Sequence, residues 1–206
     1  MRRLILSALI SLSCFYGVEA ASAAQEPTTQ TIVFVRHGEK PEKGLGQLSC
    51  RGLNRSLKLP AIIKQKFGKL DAIFAPNPSD VIDDWGTHYA YVRPLATVEP
   101  TAISLGLPVD TRFGYKEIEK LAEALQVTAY QDATILVGWE HSKIVKIVRY
   151  IIRENGGEEG NVPKWSGDDF DSMYVLRITR EGEKTRVAFE HGHEGLNGLP
   201  ESCPTN

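Results

Sequence analysis

The sequence predicts an α/β fold: three layers, with a mixed, mainly parallel sheet flanked by helices on both faces. Two apolar runs point there, Thr31-Ile-Val-Phe-Val35 and Thr134-Ile-Leu-Val137, short and rich in β-branched or aromatic residues. That is the pattern of strands buried on both faces rather than on one. Each run ends in a polar turn containing glycine and histidine, and each is followed further on by a segment with helical periodicity. With 42% hydrophobic residues among 206, the chain can bury a core of its own.

The chain begins with Met1-Arg2-Arg3, an apolar run from Leu4 to Val18, and Ala21-Ser22-Ala23-Ala24. A basic start, a short apolar core and a small-residue cleavage site predict a signal peptide over residues 1–23, one domain over 24–206, and a periplasmic or secreted location. The apolar run is broken by serines and a glycine and falls short of the roughly 20 residues a spanning helix needs. No membrane attachment is expected after leader removal, and Ser11-Leu12-Ser13 fits lipid attachment at Cys14 poorly. The full chain carries 24 basic and 26 acidic residues, and the leader takes Arg2, Arg3 and Glu19 with it. The remainder is slightly acidic, so global charge does not favour nucleic acid.

Of three cysteines, Cys14 lies in the leader, which leaves Cys50 and Cys203. An even number in an oxidising compartment suggests a bridge tying the C-terminal tail to the first helix; two unpaired thiols are the alternative. Neither cysteine belongs to a metal-ligand pattern. His191 and His193 flank Gly192 on the tail with nothing nearby to complete a ligand set, so no metal and no cofactor is expected.

The elements follow in order. The Thr31–Val35 strand runs into Arg36-His37-Gly38-Glu39 and a loop from Lys40 to Gln47. Ser49 can cap a helix over residues 50–68, with Leu53, Leu57, Ile62 and Ile63 as its apolar stripe and Pro60 kinking or restarting it. Asp71–Ala75 reads as a second strand ending in the turn-rich Pro76–Asp80. Pro94 suits a first helical position, which places Arg93 at a helix start followed by Leu95, Val98, Ala102 and Leu105. A helix start also offers amide donors to an anion. Val109–Thr111 suggests a short strand, and Lys116–Gln126 a helix with Ile118, Leu121, Ala122 and Leu125 inward. Its Glu117, Glu119 and Glu123 suit a solvated face. After the Thr134–Val137 strand come Gly138, Glu140 and His141, then a helix from Ser142 to Arg153. Two edge strands, Ser172–Thr179 and Thr185–Glu190, close the chain.

Arg36 beside His37 suits phosphate. A guanidinium binds two oxygens in one plane, and an imidazole nitrogen can face the phosphorus. Arg36-His37-Gly38-Glu39 after an apolar strand resembles the signature of the histidine phosphatase superfamily, the phosphoglycerate mutase-like fold. Leu48-Ser49-x-x-Gly52 resembles the segment opening that family's first helix, and Arg93-Pro94-Leu95-Ala96-Thr97 loosely resembles its second-arginine segment. His141, after a second buried strand, stands where the family places its second pocket histidine. The resemblance implies a histidine phosphatase-like domain in which His37 is the nucleophile and Arg36, Arg93, His37 and His141 bind the phosphoryl group.

The expected activity is phosphomonoester hydrolysis through a phosphohistidine, on a phosphorylated small molecule or a phosphoprotein. A non-catalytic phosphate-binding protein and a mutase-type phosphotransferase are the alternatives. The proton donor to the leaving group stays open among Glu140, Glu117 and the Asp83–His88 loop, with Glu140 first: the acid phosphatase branch has its acid just after the second histidine, where this chain has Ser142, and Glu140 stands just before. Glu140 could equally serve only to orient His141.

Overall fold

A computed structural model describes residues 26–204; the expected signal peptide over residues 1–23, with Cys14, lies outside the described residues. Six strands form the main sheet in the order β5-β2-β6-β1-β7-β8. These are β1 (Thr28–Arg36), β2 (Ala72–Phe74), β5 (Val109–Asp110), β6 (Thr134–Trp139), β7 (Ser172–Glu181) and β8 (Lys184–His193). The four strands β5, β2, β6 and β1 run parallel, and β7 and β8 continue the sheet antiparallel.

Strand β1 is apolar without alternation because both of its faces are covered. Ile32 and Phe34 pack toward α3 (Ile118–Leu125) and α4 (His141–Glu154), where Leu121, Leu125, Ile144, Ile147, Val148 and Ile151 are buried. Val33 and Val35 point the other way, toward α1 (Cys50–Phe67) and α2 (Arg93–Leu105), against Leu59, Ile63, Val98 and Ala102. Burying each such side chain is worth roughly 1.5–3 kcal/mol. The result is the expected three-layer α/β arrangement, and it fixes where the carboxyl ends of β1 and β6 lie.

Four details depart from expectation. Helix α1 runs unbroken through Pro60, and it turns a different face inward. Leu53 and Leu57 are 37% and 51% exposed, whereas Gly52, Arg55, Ser56, Leu59 and Ile63 are buried. The helix is rotated because Gly52 must meet the backbone of Glu39 and because buried carboxylates hold Arg55. Residues 76–91 are not all loop: β3 (Val81–Asp84) and β4 (Thr87–Ala90) form a separate hairpin. Its two-residue turn, Trp85-Gly86, has positive φ at both positions (57° and 78°), as a type I′ turn requires. Tryptophan in place of the usual Asn or Asp, and polar Asp83, Asp84, Thr87 and His88, hide the hairpin from a pattern reading.

The third departure is that β7 is an inner strand, paired with both β1 and β8, so only β8 is an edge. Finally, His191 and His193 lie on β8 rather than on a loose tail; His191 Nε2 is 2.8 Å from Ser172 Oγ. Beyond β8 the chain is strapped to α1. Arg51 donates to Leu199 O and Glu201, Asn54 donates to Pro200 O and Ser202 O, and Cys50 is bridged to Cys203 with Cα atoms 4.4 Å apart. Among the described residues no helix is long and apolar enough to cross a membrane, and no cluster of three His, Cys, Asp or Glu side chains is placed to hold a metal.

Candidate active site

Parallel pairing of β1 with β6 brings the two polar turns together. Arg36 is in register with Trp139, and the next amide, His37 N, donates to Trp139 O at 2.9 Å. His37 and the Glu140-His141 pair therefore leave the sheet side by side at its carboxyl edge, where open α/β sheets place their ligands. Arg93 comes to the same edge on the first residue of α2. The turn is held tightly: Gly38 N donates to Thr97 Oγ1 at 2.9 Å, and Thr97 Oγ1 donates back to Arg93 O. A Cβ on Gly38 would press on the backbone of Gly52, which explains a glycine there.

Arg36, His37, Arg93, Glu140 and His141 line one cavity of about 380 Å³, together with Lys40, Ile82, Asp83, Asp84, Tyr91 and Tyr115. His37 is 3% exposed, and its Nδ1 lies 2.8 Å from Gly38 O. A carbonyl only accepts, so Nδ1 carries the proton and Nε2 keeps its lone pair. Burial lowers the imidazole pKa to about 3, and the positive charges of Arg93 and Arg36 push it the same way. His37 is thus a neutral base with a fixed tautomer.

The guanidinium of Arg36 stacks on Phe170, 3.7 Å from the ring centroid, and its Nη1 donates to Gly167 O and Asp169 O. Burial lowers its pKa to about 10, still charged at neutral pH. Arg93 Nη1 donates to Asp84 Oδ2 at 2.6 Å. Burial works against the charge on Asp84, but hydrogen bonds from Arg93 and the Gly46 amide outweigh it and hold the carboxyl below its usual range. The Nε atoms of both arginines are buried without a protein partner. His141 Nδ1 lies 2.6 Å from Glu140 Oε1 and faces that carboxylate. Buried donors such as the two arginine Nε atoms are costly unless a ligand completes them.

The geometry bears on two sequence-based expectations. The start of α2 was expected to offer amides to an anion, but Arg93 N donates to Gly46 O, and at α4 the amides of Ser142 and Lys143 donate to the Glu140 carboxylate that caps it. Glu140, the first candidate for general acid, does not suit that task. Burial opposes its charge, but His141 and both the hydroxyl and amide of Ser142 outweigh it, driving its pKa far below the carboxylate range. A carboxyl held toward its ionised form in this way suits orienting His141 better than donating a proton.

Glu117 lines a different cavity, beside Asp80 and Arg112, and pairs with Lys120. His88 is exposed and stands 3.6 Å from Asp83, which does face the active-site cavity. Sequence reasoning left out Tyr91, Tyr115 and Phe170. Tyr91 packs edge-on to His37 with ring centroids 6.1 Å apart, and burial pushes its phenol pKa up. Its position two residues before Arg93 was the available signal.

No protein-family model matches this chain, and no curated protein matches it. Solved structures do. A mycobacterial glucosyl-3-phosphoglycerate phosphatase aligns with a TM-score of 0.53 at 13% identity, covering 78% of this chain and 97% of its own. A phosphoglycerate mutase from Plasmodium falciparum aligns at 0.51 and 16%, covering 87% and 99%. The protein histidine phosphatase SixA, solved with tungstate, aligns at 0.51 and 14%, covering 80% and 97%. At such identities the likeness is one of architecture, and it leads to one conclusion: this chain shares the three-layer α/β fold of these two phosphatases and this mutase.

Proposed function

We propose that the protein is an exported phosphomonoesterase that works through a phosphohistidine on His37. One observation carries the reading: a neutral imidazole of fixed tautomer shares its cavity with His141 and with buried, uncompleted donors on Arg36 and Arg93. A phosphate ester resists attack because its oxygens are negative. Two guanidinium groups spread that charge, and they act in a site sheltered from water. The Nε2 lone pair of His37 then forms the N–P bond as the P–O bond to the leaving group breaks. Water attacks the phosphohistidine, releases phosphate, and returns His37 to its neutral form. Water as the acceptor gives hydrolysis; a second alcohol would give phosphotransfer.

The departing oxygen takes a proton. Asp84 is held by Arg93 and Glu140 is held ionised, so Asp83, at the cavity mouth with His88 behind it, is the carboxyl we assign to that step. Export follows from the leader, and the Cys50–Cys203 bridge is consistent with an oxidising compartment. The substrate is a phosphorylated small molecule or phosphoprotein, chosen by the 40–47 loop and the β3–β4 hairpin that surround the cavity.

Purified protein assayed on an aryl and an alkyl phosphate, beside His37→Ala and Asp83→Asn, tests this. Loss of at least about 10³-fold on both substrates is expected for His37→Ala. Asp83→Asn is expected to slow the alkyl ester more than the aryl ester, whose leaving group needs less help. Hydrolysis unchanged in His37→Ala would remove the nucleophile, and phosphate binding without turnover in the unaltered protein would make this a binding protein.

A further inference from the structure

Behind the active-site turn, on the side facing α1, lies a buried charge cluster that the chemistry above does not use. Arg55 is 1% exposed. Its Nε and Nη2 clamp Glu39 in a two-point bond of 3.0 and 2.8 Å, its Nη1 donates to Glu194 Oε2 at 2.5 Å and lies 3.5 Å from Asp171, and Nη2 also donates to Leu196 O. We propose that Arg55 is a positioning residue for His37, fixing the nucleophile's tautomer and direction by holding Glu39 from behind and anchoring it to the end of β8. This inference rests on the reading of His37 as nucleophile.

The mechanical link is a single peptide plane. The carbonyl that accepts from His37 Nδ1 belongs to Gly38, and that peptide unit ends at the amide of Glu39. Swivelling Glu39 therefore rotates the acceptor that sets which ring nitrogen carries the proton. Glu39 is prevented from swivelling at both ends. Its carbonyl accepts from Ser49 N and Ser49 Oγ, and its carboxylate is gripped by Arg55. Gly52, against the Glu39 backbone, leaves no room for the turn to slide.

The cluster has one guanidinium for three carboxyl groups, so a proton on one of them reduces its excess negative charge. Glu194 holds it: burial raises its pKa to about 8 despite Arg55, and Asp171 and Glu39 add to the rise. Its Oε1 is buried and unpartnered. The other charged groups near the cluster are more peripheral. His193 on β8 lies 3.9 Å from Asp171, Arg51 on α1 turns outward to Glu201, Lys40 turns toward Asp84, and Asp169 is tied to Ser172. The folded state thus keeps a proton on Glu194 that the unfolded chain releases near pH 4.5, so this group makes stability fall as pH rises from about 4.5 to about 8.

The test uses Arg55→Lys, which keeps a charge but loses the two-point grip, and Glu39→Gln, which keeps the shape but loses the ion pair. Nitrogen chemical shifts of the His37 ring report its tautomer directly. The expected result is kcat on an aryl phosphate about 10–100-fold lower with KM within about threefold, and a ring no longer purely in the Nδ1–H form. If either variant folds with kcat and tautomer both unchanged, the proposal is overturned. Glu194→Gln is expected to flatten the fall of the melting temperature between pH 4.5 and 8, and an unaltered slope would remove Glu194 as the proton holder. If the unaltered protein turns over no phosphate ester, the proposed activity fails, while the tautomer still reports on Arg55.

Discussion

Residues 36–39 separate two charged sites that solve opposite problems. On the cavity side, what is left unmade is donors: Arg36 Nε and Arg93 Nε are buried with no acceptor. On the α1 side, the group left without a partner is a carboxyl oxygen, Glu194 Oε1, in a cluster where carboxyl groups outnumber the guanidinium. A missing acceptor is supplied by an anion from outside, whereas excess carboxylate is relieved by a proton from within. The same four-residue turn can therefore be rigid at its back and ready for phosphate at its front.

The largest expected effect that sharpens this contrast is on pH dependence. The two sites respond to pH in opposite senses. The His37 ring is neutral in the folded protein down to about pH 3, while the unfolded chain protonates it near 6.5. Stability from this group is complete above 6.5 and is lost as pH falls toward 3, the reverse of Glu194. His37→Ala should remove this acid-side loss, seen as a shallower drop in melting temperature below pH 6. In the unaltered protein, kcat/KM for an aryl phosphate should show no ionisation of His37 near 6.5. A titration of the His37 ring at 6.5 would mean that the cavity is wetter and less cationic than its geometry implies.

Next in size is Arg36→Lys, which acts on the front alone. Lysine keeps the charge but loses the planar fork and the stack on Phe170, so hydrolysis should fall about 10²–10³-fold. Inhibition by inorganic phosphate should weaken with it, while the pH dependence traced to Glu194 stays as it was. Movement of both together would show the two sites coupled through more than the turn.

How much of this was legible in the sequence follows the same division. The front is written in contiguous apolar runs that end in Arg36-His37 and Glu140-His141, and parallel register does the rest, so the placement of those residues could be anticipated from strand pattern alone. The back is assembled from α1, the residue after Gly38, the start of β7 and the end of β8, segments up to 155 positions apart (Glu39 to Glu194), and no local pattern announces it. Leucines at 53 and 57 even pointed to the wrong face of α1, because hydrophobic periodicity has no way of scoring a buried arginine whose partners are distant. The β3–β4 hairpin escaped for another reason: its strands are polar and its turn begins with tryptophan.

Glu140→Gln gives the smallest effect and decides what sits beside His141. Glu140 caps α4 through the amides of Ser142 and Lys143 and meets the hydroxyl of Ser142. Glutamine retains one accepting oxygen, so the expected cost is about 1 kcal/mol of stability, in the range of a weakened helix cap. Because the carboxylate is held ionised, its removal should slow aryl and alkyl phosphates by the same modest factor, through a less well oriented imidazole. A general acid would behave differently: the alkyl ester would suffer far more than the aryl ester, since only the alkoxide needs a strong proton donor to depart. A rate ratio that changes on Glu140→Gln but not on Asp83→Asn would return the acid's role to Glu140 and would require its carboxyl to gain a proton once substrate fills the cavity.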